Sequence, residues 1–125
     1  MKSLCASGDS GCCLSPPLIC MSTERIVVDR AIADTFVQKF AVRAKELKCG
    51  DPAAGAGDCV VGPMVNASSG PRLNSMIDDA VAKGAKLVAG GKANGAVMPA
   101  TILDHVTPDM QIFDGETFGP ITTVV

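Results

Sequence analysis

From Ile26 onward the apolar residues fall into two alternating rhythms. Ile26-Val27-Val28 is a short β-branched run and predicts a strand, and Asp29 stands where an N-cap would open a helix. Ile32, Phe36, Phe40, Ala44 and Leu47 then recur at steps of three and four, with Arg43, Lys45 and Lys48 placed to complement the helix dipole, and Gly50-Asp51-Pro52 is the stop. Residues 51–70 carry Gly55, Gly57, Gly62, Pro63 and Gly70 without a sustained period and read as a long loop. Leu73, Met76, Ile77, Ala80 and Val81 form one apolar stripe of a second helix, with Pro71 suited to its first position and Gly84 to its end. Lys86–Ala89 closed by Gly90-Gly91, Thr101-Ile102-Leu103 and the run Ile121–Val125 are short buried-strand candidates. Strands alternating with helices predict an α/β layered fold with a mostly parallel sheet.

The two ends read differently from the middle. Residues 1–17 are small, polar and Cys-rich, end in Ser15-Pro16-Pro17, and are expected to be a disordered segment, which leaves 18–125 as the structured part. Val125 stands inside an apolar run with no polar tail after it, so the sheet is expected to be incomplete and the sequence to be cut.

Composition narrows the function classes. Apolar residues make up 47% and charged residues 19% of 125, with a formal net charge of -2, which suits a globular chain and supplies no field for phosphate backbones or anionic lipid. Nucleic-acid and membrane partners are not expected. Four Phe with no Trp or Tyr make a thin core, and 13 Gly with 8 Pro imply many turns. The six Cys lack a secretory context: Met1–Ser15 has one Lys and no apolar stretch of signal-peptide length. Free thiols in the cytoplasm are the default. Cys5, Cys12 and Cys13 do not have zinc-ligand spacing, so no metal is expected.

Few residues invite chemistry. Gly55-Ala56-Gly57-Asp58-Cys59-Val60 lacks the third glycine of a dinucleotide turn and follows a helix where a strand is needed. His105, the one histidine, could pair with a thiol in a hydrolase or be a solvated loop residue. Cys20 lies between Pro16-Pro17-Leu18-Ile19 and Met21-Ser22-Thr23-Glu24-Arg25, a loop-to-element junction where backbone N–H groups favour a thiolate; the alternative is an inert buried thiol.

Several segments in order carry a resemblance: Ile19-Cys20-Met21-Ser22-Thr23-Glu24-Arg25-Ile26-Val27-Val28, Gly50-Asp51-Pro52, Gly62-Pro63, Leu87-Val88-Ala89-Gly90-Gly91, Met98-Pro99-Ala100-Thr101-Ile102-Leu103 and Glu116-Thr117-Phe118-Gly119-Pro120. Together they resemble part of the catalytic domain of an NAD(P)-dependent aldehyde dehydrogenase over residues 18–125. Met98–Leu103 and Asp109-Met110 further resemble the branch acting on salicylaldehyde or vanillin, which implies an aromatic aldehyde.

The resemblance implies that Cys20 is the nucleophile, attacking the aldehyde to form a thiohemiacetal and then a thioester, with its own N–H in the oxyanion hole. It also implies that Glu116 binds the nicotinamide ribose of NAD or NADP and that Phe118 packs near the ring; on the residues alone, Glu116 could be merely solvated and Phe118 a loop anchor. Pro17 and Leu18 depart from the Gly-Gln the family places before its nucleophile. The nucleotide-binding domain, the general base, the oxyanion-hole Asn and the oligomerisation arm of this homo-oligomeric family are expected to lie outside the chain, leaving it inactive alone. The alternative is a non-catalytic remnant docking on another subunit.

Overall fold

The computed structural model describes residues 23–54 and 59–125. Both the 1–17 segment and Cys20 lie outside the described residues. Four strands, β1 (Arg25–Ile26), β2 (Lys86–Ala89), β3 (Thr101–Asp104) and β4 (Ile121–Val124), form one sheet in the order β1-β4-β3-β2. β1 and β3 both run parallel to β4, with Arg25 opposite Thr123 and Thr101 opposite Ile121. β2 is antiparallel to β3 because only the loop 90–100 joins them, and a parallel pair needs a longer crossover. The α/β reading with a mostly parallel sheet therefore stands.

One long helix packs on each face of the sheet. α1 (Ala33–Glu46) buries Val37, Ala41 and Ala44 against Ala89, Ile102 and Val124, with Phe36 and Phe40 flanking and 5.6 Å apart. α2 (Ser69–Ala82) buries Leu73, Met76, Ile77 and Ala80 against Met98, Leu103 and Ile121 on the opposite face. Successive strand residues point to opposite faces, so Ile102 serves one core and Leu103 the other.

The elements differ from the sequence expectation mainly at their ends. Asp29 does not cap α1. Its carboxylate accepts the Ala31 N–H at 2.8 Å and closes a turn, and the helix starts at Ala33. The buried stripe is Val37, Ala41 and Ala44, with Phe36 and Phe40 half-buried beside it and Ile32 58% exposed. α2 starts two residues before Pro71, whose missing N–H falls in the first turn, where no helical partner exists. The Asn66 side chain accepts from the Ser69 N–H at 3.0 Å there. Gly84 ends α2 at φ 108, with Ala85 N–H on Ala80 O and Gly84 N–H on Val81 O, a closure that only a left-handed residue permits. A third helix, α3 (Gln111–Asp114), is a single turn that no periodicity reveals, anchored by the Gln111 N–H on Asp79.

Candidate functional site

The loop 115–120 joins α3 to β4 and alternates strictly: Glu116 exposed, Thr117 1% exposed, Phe118 44% exposed, Gly119 buried. Thr117 is the pivot. Its hydroxyl donates to one Glu24 carboxylate oxygen at 3.0 Å and its N–H to the other at 3.4 Å. On the other side of the same residue, the Arg72 guanidinium from α2 donates to the carbonyls of Thr117 and Glu116. A fork of donors meets the acceptors and a carboxylate meets the donors, so every polar group of Thr117 is satisfied inside the protein.

Two further constraints fix the loop. Phe118 sits at φ 46, a left-handed conformation that a residue with a Cβ adopts only when its surroundings impose it. Gly119 passes so close to Leu73 that a Cβ there would collide with the leucine side chain. A cleft of about 80 Å³ opens beside the loop, lined by Glu24, Arg25, Phe113, Glu116, Thr117 and Thr123, and the Arg25 guanidinium lies 3.9 Å over the Phe113 ring.

The structure thus leaves Glu116 and Phe118 both exposed, one on each side of buried Thr117 in the loop. Among the described residues no hydrogen bond is made to the Glu116 carboxylate, and Glu116 lines the cleft while Phe118 does not. An exposed carboxylate has the chemistry to accept the hydroxyls of a ribose. Among the described residues no Gly-rich strand-to-helix turn stands ready for the pyrophosphate.

His105 is elsewhere. It follows the last residue of β3, whereas the 115–120 loop precedes the first residue of the parallel β4, so the two lie at opposite ends of the sheet. Its Nδ1 is 2.8 Å from Asp104, and its φ of 60 belongs to the turn that leaves β3. The structure does not join it to Glu116 or Phe118. Cys49 is part-buried and accepts the Ala100 N–H at 3.3 Å, a bridge between the end of α1 and the approach to β3.

The residues that organise the loop, Glu24, Arg72 and Thr117, were not legible as site residues in the sequence. No pattern in the sequence marks them, because 115–120 is a loop and not a strand, and its partners are distant along the chain.

Comparison with known proteins shows the family. The aldehyde dehydrogenase family model matches residues 15–125. This chain belongs to the aldehyde dehydrogenase family. It is 61% identical over 107 residues to a salicylaldehyde dehydrogenase of Pseudomonas sp. (strain C18), covering 86% of this chain and 22% of that protein. Among solved structures, the aldehyde dehydrogenase fold recurs in a salicylaldehyde dehydrogenase from Pseudomonas putida G7 complexed with salicylaldehyde, at 60% identity and TM-score 0.81, covering 86% of this chain and 22% of that one. It recurs in an NADP-dependent glyceraldehyde-3-phosphate dehydrogenase from Bacillus halodurans C-125 complexed with NADP, at 30% identity and TM-score 0.79, with the same coverages. The chain thus spans about a fifth of the length of these aldehyde dehydrogenases. Among the described residues no helix is long and apolar enough to cross a membrane.

Proposed function

We propose that residues 18–125 are a part of an aldehyde dehydrogenase catalytic domain that oxidises an aromatic aldehyde to its acid, with Cys20 as nucleophile and with Glu116 and Phe118 receiving the nicotinamide ribose and ring of NAD or NADP. The observation that carries the reading is the loop 115–120, in which Glu24 and Arg72 hold Thr117 buried while Glu116 and Phe118 on either side of it stay exposed. The salicylaldehyde bound to one relative and the NADP bound to another support the substrate class and the cofactor.

In this reading the Cys20 thiolate adds to the carbonyl carbon, the carbonyl π electrons move to oxygen, and the Cys20 N–H stabilises that oxyanion. The cofactor, when bound, accepts a hydride. Loss of that hydride from the former carbonyl carbon leaves Cys20 as a thioester, and water then cleaves the C–S bond to release the carboxylic acid and the thiol. Glu116 accepts the ribose hydroxyls, and Phe118 limits where the ring can lie.

In this reading the described residues would meet only the nicotinamide end, and holding both reactants in place can be worth about 7–11 kcal/mol. The chain alone is therefore expected to give no NADH or NADPH from salicylaldehyde. Acylation of Cys20 needs no cofactor, so p-nitrophenyl acetate is the decisive substrate. The expected result is a nitrophenol burst stoichiometric with protein that vanishes in Cys20→Ala; a burst unchanged in that variant would refute the nucleophile.

A second reading, a non-catalytic segment docked on another subunit, has one observation in its favour: Val27 and Val65 are 79% and 77% exposed. A monodisperse monomer in sedimentation, without added partner, would count against it.

A further inference from the structure

We infer that Glu24 is a positioning residue, which sets the outward presentation of Glu116 and Phe118 by gripping Thr117. This rests on the functional reading above, because presentation matters only if those two residues meet a ligand.

The grip is specific in its chemistry. Both oxygens of one carboxylate are used on one residue: the Thr117 hydroxyl at 3.0 Å and the Thr117 N–H at 3.4 Å. Glu24 itself is tied to the sheet, since its carbonyl accepts the Thr123 N–H at 2.8 Å and the Thr123 hydroxyl at 3.0 Å. The side chain therefore hangs from the β1–β4 ladder, and the loop is referred to the sheet and not to a neighbouring loop. Arg72 holds the acceptor side of the same residue from α2, so Thr117 is fixed between the sheet and the helix.

With the pivot fixed, its two neighbours Glu116 and Phe118 stand exposed on either side of it, and Phe118 sits at φ 46, a left-handed conformation that its surroundings impose. Glu24 touches neither the proposed cofactor nor the aldehyde. It acts through Thr117. In the sequence it lies four positions after Cys20, so the segment that carries the proposed nucleophile also carries the grip on the cofactor loop.

Amide hydrogen exchange and amide chemical shifts of the full chain test this without aldehyde or cofactor. In Glu24→Ala and in Thr117→Val the amide at 117, corrected for intrinsic rates, is expected to exchange about tenfold faster, the effect of losing one hydrogen bond to a charged group. The Phe118 amide shift is expected to move, while amides of Leu73–Ala80 keep their wild-type rates. Thr117→Ser, which retains the hydroxyl, should stay within about twofold of wild type, and Glu24→Gln, with one acceptor oxygen, should fall between. The double variant should exchange no faster than the worse single variant. Wild-type rates in Thr117→Val, or acceleration spread equally over α2 and β4, would overturn the inference and leave Glu24 a mere contributor to packing. Should Glu24→Ala not fold, Glu24→Gln decides, and a wild-type rate and shift there overturn it. The outcomes separate cleanly from the functional reading: a shifted loop without an acyl burst refutes only that reading, and a burst with an unperturbed loop refutes only this one.

Discussion

Gly119→Ala is the substitution whose cost the structure states most directly. The glycine is buried and its φ is not in the left-handed region, so alanine is acceptable to the backbone and the entire penalty is steric. The new methyl would press on Leu73 Cδ1, with Cγ and Cδ2 at 3.6 Å. Leu73 is fully buried in one cluster with Met98, Leu103 and Ile121, so any shift of its side chain presses on that core. Overpacking of this kind costs about 1–3 kcal/mol. Leu73→Ala alone leaves a cavity and costs about 2–5 kcal/mol. Combined, the methyl enters the cavity, and the two costs should fall short of their sum by about 1–3 kcal/mol. Urea unfolding followed by far-UV circular dichroism measures all four corners of the cycle, the chain having no Trp or Tyr to follow by fluorescence. An additive double variant, or a neutral Gly119→Ala, would refute the close approach of loop and helix.

Three further outcomes are expected. Gly90→Ala should abolish folding, because Gly90 sits at φ 73 and a Cβ would lie 2.6 Å from Thr101 Cα and against the Ala100 carbonyl, which are backbone atoms that cannot rotate away; a cooperative transition within about 1 kcal/mol of wild type would contradict this. The Asp79 carboxyl is held below its ordinary value chiefly by its hydrogen bond to Lys83 and then by the Gln111 N–H, so its contribution is present above the unfolded carboxylate range and is lost as pH falls through the lower folded value. Asp79→Asn should therefore be less stable than wild type at pH 7 and converge with it in strong acid, as read from thermal unfolding against pH; a gap that persists below pH 2 would refute the assignment. Iodoacetamide should alkylate Cys20 faster than Cys49, whose sulfur is part-buried and engaged by the Ala100 N–H; equal rates by peptide mass spectrometry would show no activation at Cys20.

The sequence disclosed this fold wherever a short apolar run was bounded by glycine or proline. β2 matches its expected span, and β3 and β4 differ from theirs by one residue each. Ends were less legible because side-chain hydrogen bonds, and not propensity, set them: Asp29 closes a turn ahead of α1, and Asn66 gathers the start of α2. α3 is too short to show a period. For the site, Glu116 and Phe118 were visible only through the family resemblance, since a Glu and a Phe on a turn carry no chemistry by themselves. Glu24 and Arg72 were invisible for a different reason: their partner Thr117 is 93 residues from one of them and 45 from the other, and such pairings exist only once the sheet and α2 are assembled.

The central claim is that Cys20 is the nucleophile, and the site of acyl transfer tests it most directly. After brief exposure to p-nitrophenyl acetate and an acid quench, peptide mass spectrometry should find one acetyl group per chain, on Cys20, with Cys49 and Cys59 unmodified. Acetyl distributed among the cysteines in proportion to their exposure, or concentrated on Cys49, would contradict it.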